Sequence, residues 1–369
     1  MTNEHHYAII MAGGAGTRFW PASRFRRPKQ LLALGTNHAQ SMLQATVRRV
    51  RDLVALDNVF VVTAAHLAPA IEQQQLGIPP ENVLLEPVGR NTAPCIAWAN
   101  DVIQARDPQA VVAVFSADHV IADESAFVAS VQRAIAHAAS GVVTLLGIHP
   151  TRPETGYGYI ELGEHNAAGV YDVKRFVEKP DAATARVMIE SKRFVWNGGY
   201  FFFPAALMTQ AVERYLPRLA QGIARIREAR VLQGTEPHNV IEEVFPTLPS
   251  VSVDVGIMER MDRLAAVVVD CGWSDVGSWQ VLWELADKDA YGNAAPAGTV
   301  VIDSRNNMVA DWDEHGEQAG AGRVIALVGV QDMVVVQTHD ALLVMPRERC
   351  QQVRDVVEIL RREGKGDKL

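Results

Sequence analysis

Residues 7–21, YAIIMAGGAGTRFWP, decide the fold of this chain. The opening run, Tyr7–Ala12, is apolar throughout and predicts a buried β-strand. A glycine-rich loop follows directly, and glycines let backbone N–H groups approach a phosphate closely. Arg18 in this loop adds a forked cation suited to phosphate oxygens, and Lys29 offers a second cation in a following PKQ motif. The alternative is a tight strand-to-helix turn with incidental charge, and the two cations argue against it.

Two common nucleotide-binding signatures are missing from the chain. A Walker loop needs G-x-x-x-x-G-K-[ST], and no such string occurs. A dinucleotide fingerprint needs G-x-G-x-x-G, and the run from Gly14 to Phe19 lacks the third glycine. The sequence therefore disfavours both a hydrolytic P-loop enzyme and an NAD enzyme.

Outward from this loop, the first half of the chain alternates short apolar runs with longer amphipathic stretches. Strands that are apolar throughout and alternate with helices predict a mostly parallel sheet covered on both faces. Residues 157–180 instead suggest antiparallel strands. The other predicted strands are Tyr7–Ala12, Val59–Thr63, Asn82–Leu85, Ala110–Phe115, Val142–Ile148 and Ala265–Val269, and the predicted helical stretches cover 41–55, 66–75, 92–106, 125–140, 182–192, 205–229 and 278–287.

The pattern changes after about residue 290. Short strand candidates now follow one another closely, which predicts a small all-β unit, and an amphipathic helix begins near Val353. We expect a first domain over 1–288 and a second over 289–369. The strand candidates of the second are Thr299–Asp303, Met308–Ala310, Val324–Val328, Met333–Gln337 and Leu342–Met345.

Composition excludes several classes of protein. The chain has 369 residues, 48% of them apolar and 21% charged, as in globular enzymes with a large core. Its net charge of −8 argues against a nucleic-acid-binding protein, although a site can still be locally positive. The three cysteines lie far apart, which argues against a disulfide framework or a zinc site. With neither a secretory signal nor a membrane-length apolar run, we expect a cytoplasmic protein that does not contact membranes.

Acidic residues follow two of the predicted strands. Asp118, in the string Ser116-Ala-Asp-His119, comes after one strand, and Asp275 comes after another. Ligands of open α/β sheets gather beyond the carboxyl ends of strands, where two carboxylates can hold Mg²⁺ beside a triphosphate. For each Asp alone, a turn or helix cap is the commoner role. We interpret His119 as a packing residue without a catalytic role.

A further candidate site lies in the middle of the chain. Glu178 and Lys179 stand side by side in FVEKP and could hold a sugar hydroxyl and a phosphate, although alone an exposed strand end would be the favoured interpretation. We interpret the segments 155–159 and 196–201 as loops that a ligand can approach closely and that carry polar side chains to contact it. The alternative is that both are ordinary turns.

An ordered set of strings resembles the mannose-1-phosphate guanylyltransferase family. Any one string is weak evidence, but their order is specific, and together they span most of the first 280 residues. The strings are GGAGTRFWPASR (13–24), PKQ (28–30), EPVGRNTAP (86–94), SADH (116–119), GYGYI (156–160), FVEKP (176–180), WNGGYFF (196–202), SVDVGIME (252–259) and WSDVGSW (273–279).

The resemblance implies a Rossmann-like, GT-A-like nucleotidyltransferase fold with a mixed, mostly parallel sheet and a small left-handed β-helix-like tail. It implies transfer of GMP from GTP to mannose-1-phosphate, with Mg²⁺ as cofactor and a homodimer as a possible assembly. Some relatives continue into an isomerase domain, and because this chain ends at Leu369 we expect no isomerase activity. One departure is Val255-Gly256, where the family often has a tyrosine.

The resemblance also implies roles for individual residues. The expected catalytic residues are Arg18, Lys29 and Lys179; the nucleotide-binding residues are Ala12, Gly13, Gly14, Gly16, Thr17, Asn91, Thr92 and Ser116; the sugar-phosphate-binding residues are Gly158, Glu178, Lys179 and Asn197; and the metal ligands are Asp118 and Asp275.

Two alternatives remain open at this stage. The first is the same chemistry with another base and sugar, such as UTP or dTTP with glucose-1-phosphate. The second is a regulatory subunit that binds sugar nucleotide without catalysis, which loss of Arg18, Lys29 or a metal-binding Asp would favour; all of these residues are present.

Overall fold

The fold is built on one mixed sheet of nine strands. A computed structural model describes residues 4–14, 16–34, 40–312 and 324–369. The strands are β1 (His6–Met11), β2 (Val59–Ala64), β3 (Val83–Glu86), β4 (Val111–Ser116), β5 (Val143–Ile148), β6 (Tyr159–His165), β7 (Val170–Val177), β8 (Phe194–Pro204) and β9 (Leu264–Val269).

The strand order is β3-β2-β1-β4-β8-β5-β9-β7-β6. Strands β1 to β4 pair in parallel among themselves, and β5 pairs in parallel with β9. Because β8 is antiparallel to both β4 and β5, the strands on its two sides run in the same direction. The carboxyl ends of β1 to β5 and β9 therefore meet at one edge of the sheet, which confirms the mixed, mostly parallel fold expected from the sequence.

Strand β8 corrects one prediction. The segment 196–201, interpreted as a loop, lies inside β8 and is hydrogen-bonded between β4 and β5. Its glycines weaken the strand signal, since glycine adds no side chain to pack. They are needed for close packing, because a Cβ at Gly198 would lie 3.1 Å from the Leu146 carbonyl oxygen and Gly199 has φ +71°. The register between β5 and β8 also shifts between Leu145 and Gly147.

Helices cover both faces of the sheet, as the alternating pattern predicted. The predicted stretch 205–229 is divided at Pro217, which can start a helix but cannot continue one. The described helices are α1 (Met42–Val50), α2 (Ala68–Glu72), α3 (Thr92–Arg106), α4 (Glu124–Ala138), α5 (Ala182–Glu190), α6 (Ala205–Tyr215), α7 (Pro217–Gln233), α8 (His238–Val244), α9 (Val253–Gly256), α10 (Trp279–Leu285) and α11 (Val353–Arg362).

The described residues of the tail form two small sheets. In the first, β10 and β12 pair in parallel; in the second, β11 and β13 pair in parallel and β14 is antiparallel to β13. Repeated parallel pairing of successive short strands is the pattern of a β-helix-like unit. The tail strands are β10 (Val300–Ile302), β11 (Met308–Asp311), β12 (Ala326–Val328), β13 (Met333–Gln337) and β14 (Leu342–Pro346). The domain boundary at 288/289 stays a prediction.

Three groups of buried side chains form the core. One lies between the sheet and α3, α6 and α7, and another between the opposite face and α1 and α4. The third, here called the tail cluster, joins the segment after the glycine-rich loop to the tail. It includes Phe19, Trp20, Val120, Trp279, Ala310, Val334, Val336, Leu343 and Met345.

Candidate active site

The glycine-rich loop begins where β1 ends, at the carboxyl edge of the sheet. Gly16 has φ +55°, and a Cβ there would lie 2.6 Å from the Lys29 backbone nitrogen. Only glycine therefore lets the loop pack against the PKQ segment. In contrast, a Cβ at Gly13 or Gly14 would meet nothing within 4 Å among the described residues. This side of the loop is open to a ligand.

Hydrogen bonds hold the loop and the PKQ segment together. The Ala12 carbonyl accepts from Gln30 Nε2 at 2.8 Å and from Thr63 Oγ1 at 3.0 Å. Ser23 Oγ donates to the Gly16 carbonyl at 2.8 Å. Thr17 begins a 3₁₀ turn directly after the loop. Both ends of the loop, at Ala12 and Gly16, are therefore anchored before a ligand binds.

Lys29 joins three distant segments of the chain. Its ammonium donates to Asp118 Oδ2 at 2.9 Å and to the backbone carbonyl of Asp275, and its side chain is only 8% exposed. Burial alone would raise the pKa of Asp118, but the charge of Lys29 and its hydrogen bond lower it below its usual value. Asp118 is therefore held as a carboxylate in its position after β4.

Arg18 lies beside the Asp275 loop. Its Nη1 donates to the Gly277 carbonyl at 2.9 Å. A Cβ at Gly277 would lie 3.2 Å from Arg18 Nη1 and 3.4 Å from both carboxylate oxygens of Asp275. Arg18 and Asp275 therefore face each other across this glycine.

The two acids suit a hard cation. Asp275 Oδ1 accepts from the Tyr157 hydroxyl at 2.7 Å, which fixes the carboxylate. Within the described ranges no group of three or more His, Cys, Asp or Glu side chains is placed to form a complete metal cage. Mg²⁺ does not need one, because it is commonly held by one or two carboxylates together with substrate phosphates and water. The donor set of Asp118 and Asp275 fits that pattern.

His119 packs edge to face against Tyr200 and Trp273, with ring centroids 5.5 and 5.3 Å away. Its Nδ1 lies 3.2 Å from Trp273 Nε1, a donor, and 3.1 Å from the Tyr200 hydroxyl. Burial lowers the pKa of the imidazole, so the ring is neutral near pH 7. Ser116, at the end of β4, lies near Gly199, where a Cβ would be 3.8 Å from its Oγ.

Three of the expected sugar-phosphate residues meet around Gly158. A Cβ on this glycine would lie 2.7 Å from Glu178 Oε2 and 3.3 Å from Asn197 Cβ. Lys179 Nζ donates to Glu178 Oε1 at 2.6 Å, while its side chain is 61% exposed. Glu178 and Lys179 follow β7. Glu178 thus places its carboxylate at Gly158, while the ammonium group of Lys179 faces solvent.

Asp254 belongs to this group, although the sequence analysis did not select it. Asn197 Nδ2 donates to Asp254 Oδ1 at 2.8 Å, while Asn197 Oδ1 accepts from the Gly199 N–H at 3.1 Å. Burial, reinforced by the negative charge of Glu178, raises the pKa of Asp254 to about 6. The string SVDVGIME contains Asp254, but the sequence alone led us to comment only on Val255 and Gly256, the two residues that follow it.

The expected nucleotide-binding residues Asn91 and Thr92 lie at the start of α3, which follows β3 at the same edge of the sheet. Asn91 Oδ1 accepts from the Thr92 N–H at 2.9 Å, and Thr92 Oγ1 accepts from the Val253 N–H at 2.9 Å. This segment is therefore tied to the Asp254 loop. The described contacts do not join it directly to Lys29.

Glu86, at the end of β3, is a second residue that the sequence analysis missed. It is 7% exposed, and burial raises the pKa of its carboxyl to about 7. Its Oε1 has no hydrogen-bond partner among the residues that the structure describes. Such a buried acceptor is a candidate contact for a donor group of a ligand. The string EPVGRNTAP contains Glu86, but within this string the sequence analysis assigned nucleotide binding only to Asn91 and Thr92.

Two family models match the chain. A nucleotidyl transferase model covers residues 7–291, and a model for a mannose-phosphate isomerase/GMP-like β-helix domain covers residues 298–360. The first contains the glycine-rich loop, Lys29, both acids and the sugar-phosphate group. The second contains all the tail strands.

The chain is similar to several characterised proteins. It is 39% identical to the xanthan biosynthesis protein XanB of Xanthomonas campestris pv. campestris (strain B100), over 97% of this chain and 74% of that protein. It is 38% identical to a mannose-1-phosphate guanylyltransferase of Escherichia coli (strain K12), over 99% of this chain and 75% of that protein. A solved structure from Thermus thermophilus, described as a mannose-1-phosphate geranyltransferase, superposes with a TM-score of 0.83 at 33% identity, covering 97% of this chain and 99% of the other.

None of the described helices combines the length and the apolar character that crossing a membrane requires.

Proposed function

The chain belongs to the nucleotidyl transferase family, among the mannose-1-phosphate guanylyltransferases, and we propose that it transfers GMP from GTP to mannose-1-phosphate, giving GDP-mannose and pyrophosphate. A phosphate oxygen of mannose-1-phosphate attacks the α-phosphorus of GTP in line, and pyrophosphate leaves. The nucleophile is already an anion, so no general base is needed. One observation carries the proposal: beside an open glycine-rich loop, Lys29 contacts both the Asp118 carboxylate and the Asp275 carbonyl.

The main barrier is electrostatic. Two unit charges 4 Å apart repel by about 4 kcal/mol at an effective dielectric constant of about 20, and multiply charged phosphates repel more strongly. Arg18 and Lys29 are each fixed by a hydrogen bond to a backbone carbonyl of the Asp275 loop. Cations held in place before the reaction offset this repulsion and align the phosphates, which is what phosphoryl transfer chiefly requires.

Asp118 and Asp275 are proposed to hold Mg²⁺. When bound, the ion would neutralise charge on the triphosphate and on the leaving pyrophosphate. The Tyr157 hydroxyl orients Asp275, and Lys29 keeps Asp118 ionised. Both carboxylates are thus prepared to act as ligands.

The loop residues Ala12, Gly13, Gly14, Gly16 and Thr17, together with Ser116, are proposed to line the phosphates of GTP. The Gly158 group is proposed to hold mannose-1-phosphate. Glu178 would accept hydrogen bonds from sugar hydroxyls, Asn197 would contact the sugar, and Lys179 would hold the phosphate, since its ammonium reaches solvent.

Base choice is proposed to depend on Glu86 and on the Asn91–Thr92 segment. Guanine presents two adjacent donors, N1–H and the N2 amino group, and a carboxylate can accept from both. Uracil and thymine present a single N–H between two carbonyls, whose oxygens a carboxylate would repel. The unpartnered Oε1 of Glu86 therefore favours GTP over UTP or dTTP.

The experiment that tests this function is a matrix of GTP, UTP and dTTP against mannose-1-phosphate and glucose-1-phosphate, scored by pyrophosphate release. We expect the GTP and mannose-1-phosphate pair to react fastest. Preference for UTP or dTTP with glucose-1-phosphate would establish the first alternative. Binding of GDP-mannose without turnover for any pair would establish the regulatory subunit.

A homodimer through the tail is proposed on the basis of exposed apolar side chains. On β10 and β12, Ile302 pairs with Val328, and they are 50% and 62% exposed. Leu342 and Val344 are exposed on β14. A second copy would cover these side chains, so light scattering should give twice the chain mass of 40.4 kDa, and a monomer mass at micromolar concentration would exclude the dimer.

A cytoplasmic location is likewise proposed for this protein, since the substrates proposed for it are metabolites of the cell interior.

A further inference from the structure

A large cleft lies between the segment after the glycine-rich loop and the tail, and Lys29, Asp118 and Asp275 are not among its lining residues. Its volume is about 1050 Å³, which is ample for a nucleotide. Its walls come from residues 17–31, from the end of α2, and from α11 with the residues after it. Among the described residues that line the cleft, only Thr17 also belongs to the site proposed for catalysis.

A short hairpin projects into this cleft. The backbone groups of Arg24 and Arg27 exchange two hydrogen bonds, at 2.9 and 3.0 Å, which places Phe25 and Arg26 at its tip. The Phe25 ring stacks on His66 with a centroid separation of 4.1 Å, yet Phe25 remains 61% exposed. An aromatic ring held rigid on one side and open on the other is a stacking platform for a planar ligand.

Arginines outnumber aspartates in the lining of the cleft, which includes Arg24, Arg26, Arg27 and Arg361 against Asp340 and Asp367. Arg24 is neutralised by Asp340, whose Oδ1 lies 2.6 Å from Arg24 Nη2. Arg26, at the tip of the hairpin, and Arg361, on α11, also line the cleft, and neither forms an ion pair with any acid that the structure describes. Guanidinium groups that are not already paired with an acid are suited to binding phosphate oxygens.

We propose that this cleft binds a nucleoside diphosphate group, with the diphosphate between Arg26 and Arg361 and the base on Phe25. The site is separate from the catalytic one but mechanically linked to it. Ser23, at the base of the hairpin, holds the Gly16 carbonyl, and Lys29 follows the hairpin closely in the chain. Occupancy of the cleft would thus act on the catalytic loop, and the cleft is a regulatory site.

The test is equilibrium dialysis with labelled GDP, comparing the wild type with the double variant Arg26→Ala/Arg361→Ala. We expect the double variant to bind one GDP fewer per chain, with unchanged far-UV circular dichroism. The matched control is Arg362→Ala, which lies beside Arg361 on α11 but does not line the cleft and should keep the wild-type stoichiometry. Equal stoichiometry in the wild type and the double variant would overturn the proposal, whatever the outcome of the catalytic assay.

A second variant tests the contact with the base. Phe25→Ala should weaken GDP binding at this site about tenfold, since stacking on an aromatic ring contributes about 1–3 kcal/mol per base. Binding of inorganic pyrophosphate, which has no base, should not change. Unaltered GDP affinity in Phe25→Ala would remove the base from the cleft and with it the nucleoside diphosphate.

Discussion

Lys29 is a charged side chain in an almost fully buried position. An isolated buried ammonium is strongly unfavourable, so its partners must compensate for lost hydration. Asp118 and the Asp275 carbonyl do so, and they also fix the position of the ammonium group. The stability of this position and its role in catalysis therefore depend on the same contacts.

Replacing Lys29 by Ala should lower kcat/KM by about a hundredfold or more, because a fixed stabilising charge at a reacting phosphate is lost. The control is Lys174→Ala, an exposed lysine on β7, which should keep wild-type kinetics. Steady-state pyrophosphate release measures both. Equal losses in the two variants would remove Lys29 from the site.

Asp118→Asn and Asp275→Asn should each abolish most turnover while the protein stays folded, because an amide is a much poorer Mg²⁺ ligand than a carboxylate. The activity remaining should need a higher Mg²⁺ concentration. Asp262→Asn, with an exposed side chain paired to Arg214, serves as the control. Near-normal rates and Mg²⁺ dependence in both site variants would refute the metal assignment.

Glu86 makes the stability of the protein depend on pH. Its folded-state pKa of about 7 lies above the ordinary value of 4.5, so the folded protein retains a proton that the unfolded chain releases. The contribution of neutral Glu86 to the free energy of unfolding is fully present below pH 4.5 and is lost as the pH rises toward 7. A shift of this size corresponds to about 3 kcal/mol.

Glu86→Gln should therefore flatten the fall in unfolding free energy between about pH 5 and pH 7, since the amide does not titrate. Urea denaturation of the ligand-free protein at several pH values measures the slope. If the wild type and Glu86→Gln show the same slope over this range, the carboxyl is already ionised in the folded protein.

At the scale of elements, the loop after β1 contains glycines with different requirements. Gly16→Ala should destabilise the protein by about 1–3 kcal/mol, because the new Cβ would collide with Lys29 at a positive φ. Gly13→Ala should leave stability unchanged, since its Cβ enters open space, but should raise the KM for GTP. Thermal unfolding and kinetics separate the two effects. Equal stability of both variants would contradict this account of the loop.

Strand β8 shows how an element can be hidden in a sequence. Its central glycines resemble a turn, but neighbouring strands β4 and β5 satisfy its backbone and apolar residues on both sides bury it. Strand propensity depends on packing against neighbours, which a single sequence does not show. In contrast, the predicted helix over 92–106 agrees with the ends of α3, and the structure shows Asn91 as its N-cap, which is a local interaction.

At the scale of the whole molecule, the tail cluster connects the tail to the catalytic region. Phe19 and Trp279 pack edge to face with centroids 5.1 Å apart, and both belong to the same cluster as Val334 and Val336. These two aromatic residues lie next to Arg18 and to the Asp275 loop. The tail therefore supports the site, although it contributes none of the proposed catalytic residues.

Val336→Ala should lower the free energy of unfolding by about 1–3 kcal/mol, because it leaves a cavity in the tail cluster. Activity and circular dichroism should be lost in one shared transition, since the cluster spans both parts of the chain. The control is Val300→Ala, a valine that is 44% exposed and should have little effect. Two separate transitions would show that the tail unfolds independently.

The sequence by itself determined the features that depend on local pattern. Apolar runs gave the buried strands, glycines with nearby cations gave the loop, and acids after strands gave the candidate metal ligands. These signals need only a few consecutive residues, because side-chain period and backbone freedom are local properties.

Only the tertiary structure decided how the site is assembled. It brought Lys29 between Asp118 and Asp275, placed Asp254 beside Asn197, and buried Glu86 without a partner for Oε1. Each of these contacts joins segments far apart in the chain or depends on how helices cover the sheet. Hydrogen bonding, burial and pKa are set by neighbours in space, and strand order and packing choose those neighbours.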